Sequence, residues 1–254
     1  MSPAPADPRE LIARLLRQRA ELGASELILE GMSRNEALAM AAGARATVPP
    51  RRTEAAQEPD RSAGHPLPVL PASYEELRRG ALSCTRCRLS ETRTQVVFSD
   101  GVVDAKLVVV GEAPGANEDA TGLPFVGTAG QFLDLLLGTV GLSRQDTVYI
   151  CNVLKCRPPG NRNPLPDEIE ACSPYLKKQL ELVAPRALLA VGSFSAQALT
   201  RDSRPIGRLR GDIHSYEGIP LVVTYHPAAL LRNPGWTRAF WDDLQLLRSV
   251  MDGA

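Results

Sequence analysis

The sequence predicts an α/β domain: a three-layer α/β/α sandwich around a four-stranded, mainly parallel sheet, with a helical N-terminal appendage. Three observations lead there. Four short apolar runs, LVVVG (107–111), TVYICN (147–152), ALLAVG (187–192) and PLVVTY (220–225), read as strands. Helical patterns near 128–137, 166–183, 194–200 and 236–251 separate most of them or follow the last. Strands apolar on both faces, alternating with helices, belong to a parallel sheet covered on both sides. A chain of 254 residues allows one well-cored domain of roughly 180 residues plus an appendage.

Taken in order, residues 9–22 (RELIARLLRQRAEL) place Leu11, Ile12, Leu15, Leu16 and Leu22 on one helical stripe, and a second helical stretch covers about 34–45. Residues 1–46 are thus a helical appendage, read either as weakly held or as a docking element for a protein partner. Residues 47–72 mix proline, charge and small residues without periodicity and read as a disordered linker. The α/β domain spans 73–254. It opens on Ser73 and Glu76, a capping box for a helix leading into Cys84. The stretch 208–219 (RLRGDIHSYEGI) reads as a hairpin before the last strand, and no internal repeat is evident.

Lys+Arg and Asp+Glu balance at 29 each, so any nucleic-acid contact depends on a local basic patch rather than a general positive field. The N-terminus has no basic region followed by an apolar one, and no apolar run approaches membrane-spanning length. A cytoplasmic, monomeric protein without membrane association is expected. In that compartment the five cysteines read as metal or redox ligands rather than disulfides. Cys84 and Cys87 form a Cys-x2-Cys pair, with Cys156 and Cys172 far downstream. This spacing suits a metal cluster; structural zinc, which also takes four thiolates, is the competing reading, although zinc more often takes two tight pairs, unlike spacings of 68 and 15 intervening residues. Cys151 is the spare, a small core residue.

In a parallel sheet, ligands bind beyond the carboxyl ends of the strands. The first strand ends in Gly111-Glu112-Ala113-Pro114-Gly115, the second in Asn152, the third in Gly192-Ser193-Phe194 and the fourth in His226-Pro227. Glu, Asn and His therefore converge on one sheet edge.

These residues together resemble the family 4 uracil-DNA glycosylases, the iron–sulfur branch of their superfamily. The resemblance rests on GEAPG with the following GLPFVG, on CNVLKCRPPGNRNPLPDE, on HPAALLRNP, and on four cysteines in matching order, and it covers about 75–250. It implies hydrolysis of the N-glycosidic bond of deoxyuridine in DNA, a repair reaction that frees uracil and leaves an abasic site. Phe125 matches the aromatic that stacks on the flipped base, with a core phenylalanine as the alternative. Asn152 matches the base reader, whose carboxamide donates to uracil O4 and accepts from N3–H; a turn-satisfying asparagine is the alternative. His226 matches the donor to uracil O2.

Glu112 corresponds to the acidic residue of the first motif and is assigned to positioning water, although the best-known relatives place an aspartate one position later, where this chain has Ala113. Backbone groups of 112–115, with Gly111 behind them, are assigned to the pyrimidine. Glu118 aligns with the residue that walls off C5 against thymine's methyl group, or is simply a solvated loop carboxylate. Cys84, Cys87, Cys156 and Cys172 match the ligands of a [4Fe–4S] cluster. Lys155, Arg157, Arg162, Arg208, Arg210 and Arg232 would form a basic rim facing phosphates. Leu230 or Leu231 would wedge into the space left by the flipped nucleotide, or lie in the core. A related branch that traps uracil covalently carries a histidine-containing insertion after the second strand. Here that place holds KCRPPGNRNPLPDE without histidine, which favours turnover. A non-catalytic iron–sulfur DNA-binding module is the reading from another class.

Overall fold

The computed structural model describes residues 73–253; the expected N-terminal helices and linker, 1–72, lie outside them. The sheet has six strands: β1 (Asp100–Gly101), β2 (Leu107–Gly111), β3 (Val148–Asn152), β4 (Ala187–Val191), β5 (Ile213–Tyr216) and β6 (Ile219–Thr224). Their order is β1-β3-β2-β4-β6-β5, with β3, β2, β4 and β6 parallel and the two outer strands antiparallel to their neighbours. The expected four-stranded sheet is therefore the parallel centre of a larger one. β1 has only two residues and no apolar signature. β5 alternates exposed and half-buried residues, as an edge strand must.

Eight α-helices accompany the sheet among the described residues: α1 (Tyr74–Leu82), α2 (Ala116–Thr121), α3 (Thr128–Gly138), α4 (Pro166–Val183), α5 (Ser193–Thr200), α6 (Ile206–Leu209), α7 (Pro227–Arg232) and α8 (Thr237–Asp252). The pleat sends alternate residues to opposite faces. Leu107, Val109, Ile150 and Leu189 pack with Leu133 and Leu137 of α3 and with Phe240, Leu244 and Leu247 of α8. Val108, Val110, Tyr149, Leu188 and Val223 pack with Leu176 and Leu180 of α4 and Ala196 and Leu199 of α5. Ser73 caps α1 by accepting from the Glu76 N–H at 3.3 Å.

This topology positions the site. From β2 the chain moves to β3 on one side, then crosses to β4 on the other, so the order reverses at β2. The loops leaving β2 and β4 diverge there, opening a crevice beyond their carboxyl ends.

Candidate active site

The cleft at that switch point has a volume of about 770 Å³ and is lined by residues from five strand exits and loops, among them Glu112, Ala113, Glu118, Phe125, Asn152, Arg162, His226 and Arg232. That volume is ample for a nucleobase with its sugar and phosphate. The parallel pairing of β2 with β3 sets Gly111 beside Asn152, and continues past the strand ends as Val153 and Leu154 donate to the carbonyls of Gly111 and Glu112, each at 3.0 Å. The first motif is thus locked to the strand carrying Asn152.

Asn152 is 2% exposed, and its Oδ1 is buried without a hydrogen-bond partner. An unpaired buried acceptor costs roughly 1–3 kcal/mol, so it marks a place where a ligand donor belongs. Gly111 makes room for it. A Cβ there would fall within contact distance of Asn152 Oδ1 and 2.6 Å from Phe125 Cζ.

Phe125 holds a left-handed backbone, φ 54°, a conformation that costs a bulky residue on the order of 1–3 kcal/mol. The surroundings enforce it. Arg144 donates to the carbonyls of Phe125 at 2.9 Å and Pro124 at 3.2 Å while pairing with Asp100 and Asp134 at 2.8 Å each. A Cβ at Gly130 would overlap the Phe125 carbonyl, so the start of α3 must be glycine there. Glu118 closes the same loop: Oε1 accepts from the N–H groups of Val126 and Gly127 at 3.0 Å, and Oε2 from Gly115 at 3.1 Å. It borders the cleft as a clamp between two loops, not as a solvated carboxylate.

His226 lies with its ring nearly parallel to that of Phe125, centroids 5.7 Å apart and planes at 26°. Its Nδ1 accepts from the Ala228 N–H at 3.2 Å at the start of α7. The neutral ring consequently carries its proton on Nε2. Burial, and secondarily Arg232, push the imidazole down to about 4, against a smaller opposing effect of Glu118. The histidine is thus an uncharged donor at neutral pH. Gly192, φ 98°, lets β4 pass close by; a Cβ there would sit 3.2 Å from that of His226. Burial raises the Glu112 carboxyl above the ordinary carboxylate range.

Several expected contacts are corrected. Pro114 has no N–H and Gly115 donates to Glu118, leaving Glu112 and Ala113 as the backbone donors of that loop available for a base. Lys155 is 2% exposed, and its Nζ donates to the Asn152 carbonyl at 2.6 Å, so it braces the strand exit and does not reach phosphates. Arg210 pairs with buried Asp243 at 2.9 Å, donates to the Ala239 carbonyl and lies over the Tyr225 ring. It also faces inward. Leu230 is 1% exposed in the core against α8, whereas Leu231 is 46% exposed. Arg162 borders the cleft but is engaged by Glu168 through two bonds. Arg157 donates to Asn161, a cleft residue, at 2.7 Å, and Arg208 and Arg232 are exposed.

A second, smaller cavity brings together all four expected cysteine ligands, Cys84, Cys87, Cys156 and Cys172, with Arg86, Arg93 and Lys155. Arg93 Nη1 donates to Cys156 Sγ at 3.2 Å, and the Lys155 backbone N–H to Cys172 Sγ at 3.3 Å. Burial pushes the Cys172 thiol up to about 12 and raises those of Cys87 and Cys156. Among the described residues, no three His, Cys, Asp or Glu side chains are gathered as a single metal ion would hold them. Cys151 lies in the core on the far face of β3.

Comparison with known proteins gives the family. The family model of the Uracil DNA glycosylase superfamily matches residues 98–245. The chain is 40% identical over 181 residues to the type-4 uracil-DNA glycosylase of Archaeoglobus fulgidus, covering 68% of this chain and 90% of that one. It is 42% identical over 174 residues to that of Pyrobaculum aerophilum, covering 65% and 87%. It is 45% identical over 153 residues to that of Thermotoga maritima, covering 59% and 79%. The chain belongs to the type-4 uracil-DNA glycosylase family.

Proposed function

We propose that the protein hydrolyses the N-glycosidic bond of deoxyuridine in DNA, releasing uracil and leaving an abasic site for repair. The observation that carries this is the buried, unpartnered Asn152 Oδ1 facing the same cleft as Phe125 and His226. Uracil presents N3–H to that acceptor and O4 to the amide N–H of Asn152; cytosine presents the opposite polarity at both positions. The extruded base stacks on Phe125, whose ring the Arg144 brace holds in place. As the C1′–N1 bond breaks, its electron pair leaves with uracil and the charge spreads to O2, where neutral His226 donates from Nε2. A donor that is already neutral gives up no proton and keeps its hydrogen bond as the charge grows. Water attacks C1′ and its proton passes to Glu112, whose carboxylate also stabilises the cationic sugar. Leu231 and Arg232, exposed beside the cleft, face the DNA; Leu231 is the wedge that fills the vacated stack.

The four cysteines of the second cavity would hold a [4Fe–4S] cluster. Three features support this reading. The donors are all thiol, three cationic side chains line the same cavity, and Arg86 Nη1 is buried without a partner, suiting a cluster that is net negative once its four ligands are thiolates. Each of the four cysteines would bind a different iron, so their thiols need not converge as the ligands of a single ion do. When bound, the cluster supplies metal–thiolate bonds joining the turn after α1, the loop after β3 and α4. Protein partners of residues 1–46 remain part of the same proposal only as a docking role for the predicted helices.

The test is release of uracil from an oligonucleotide carrying one deoxyuridine, read as alkali-labile cleavage at that position. Wild-type protein cleaves there, and Asn152→Ala does not. Binding of the oligonucleotide without any cleavage by wild-type protein would contradict the proposal.

A further inference from the structure

One rim of the cleft carries an aromatic pair that the reaction above does not use. Tyr225 follows β6 directly, and Trp236 ends the short turn Pro234–Trp236 between α7 and α8. Their rings stack 4.6 Å apart with planes at 19°, and both residues border the cleft. The pair is firmly based: the Arg210 guanidinium lies 5.2 Å from the Tyr225 ring centre and is itself fixed by Asp243. Yet Trp236 is 42% exposed, and every residue from Leu231 to Trp236 is exposed. An indole set rigidly on another ring, with this much surface in water, is a platform for a further flat, apolar face. Arg232, four residues earlier, borders the same cleft.

We infer that Trp236 is a stacking subsite for the nucleobase of a nucleotide flanking the extruded deoxyuridine. The inference rests on the proposed function, because a strand whose uracil occupies the cleft necessarily runs along its rim. A nucleobase fits the platform because every base has a flat face, so the contact is tolerant of sequence. Arg232 meets the phosphate that accompanies it. In single-stranded DNA the flanking base turns onto the indole without breaking a pair; in a duplex it does not. The subsite therefore favours single-stranded substrate.

The chain has two tryptophans, so Trp241→Phe leaves Trp236 as the sole indole reporter. In that background, a single-stranded oligonucleotide carrying 2′-fluoro-deoxyuridine, whose fluorine opposes the cationic sugar and prevents cleavage, quenches the indole emission. Free uracil does not. In steady-state assays Trp236→Ala raises KM for single-stranded substrate roughly tenfold with kcat little changed, Trp236→Phe restores most of it, and duplex substrate responds less. Uracil release by wild-type protein, combined with no quenching and an unchanged KM in Trp236→Ala, overturns the subsite and leaves the function standing. Quenching without release by wild-type protein overturns the function and leaves the stacking site.

Discussion

The cleft at Asn152 and the thiol cavity at Cys156 lie four residues apart along one strand exit, and they treat buried polarity differently. In the cleft, Asn152 and His226 are fixed and neutral. Asn152 Oδ1 waits unpaired, His226 is held uncharged, and backbone geometry at Gly111, Phe125 and Gly130 does the shaping. In the cavity, four thiols are crowded with three cations, and burial raises those of Cys87, Cys156 and Cys172 rather than ionising them. The first arrangement is complete as a receptor for a neutral, polar, flat molecule. The second gains most from a positively charged core that ionises its thiols. Lys155 joins them, its backbone N–H on Cys172 Sγ and its Nζ on the Asn152 carbonyl.

That contrast breaks most sharply in the cavity. Cys172→Ala is expected to lose bound iron and visible absorbance and to destabilise the fold by on the order of 4 kcal/mol, read by iron analysis and thermal melting. A variant with full iron content would remove Cys172 from the ligand set. In the cleft, His226→Ala is expected to lower kcat by about 10²–10³ with the fold retained. The pH response follows from the same residue. Its folded pKa, about 4, lies below the unfolded value near 6.5, so the stability it contributes is complete above pH 6.5 and declines as pH falls towards 4. Glu112, raised in the fold, acts in the opposite sense, since the folded state gains relative stability as that carboxyl protonates. Melting His226→Ala beside wild type from pH 7 to 4 separates the two: the gap between the curves narrows on acidification if His226 is buried and neutral.

Gly111→Ala sharpens the geometric half of the contrast. The added methyl meets Phe125 Cζ and Asn152 Oδ1, so uracil release is expected to fall about tenfold or more, at a stability cost of about 1–3 kcal/mol. Arg144→Met is expected to have the smallest effect, about 2 kcal/mol of stability, since its carboxylate partners are partly exposed. KM should rise as Phe125 loses its brace. An unaltered KM would show that the strained loop holds itself.

The central strands and the longer helices were legible because β-branched apolar runs and 3.6-residue periodicity survive without partners: 166–183 and 107–111 coincide with α4 and β2. Short elements were not. ANEDAT in α2 has no apolar stripe, and β1 owes its two residues to pairing with β3. Residue types at strand ends pointed to Asn152 and His226, but the state of each charge did not follow from type. Lys155 and Arg210 read as rim cations because their acceptors, a carbonyl and the distant Asp243, carry no local sequence signal. Arg144 was missed for the same reason, its partners being spread from Asp100 to Asp134.

The claim that one amide selects the base is tested by Asn152→Asp, assayed on matched oligonucleotides carrying a single deoxyuridine or a single deoxycytidine. A carboxyl group at that position no longer donates to uracil O4 and accepts from the cytosine amine instead. Uracil release is expected to fall steeply while measurable cytosine release appears. Undiminished preference for uracil would contradict the account.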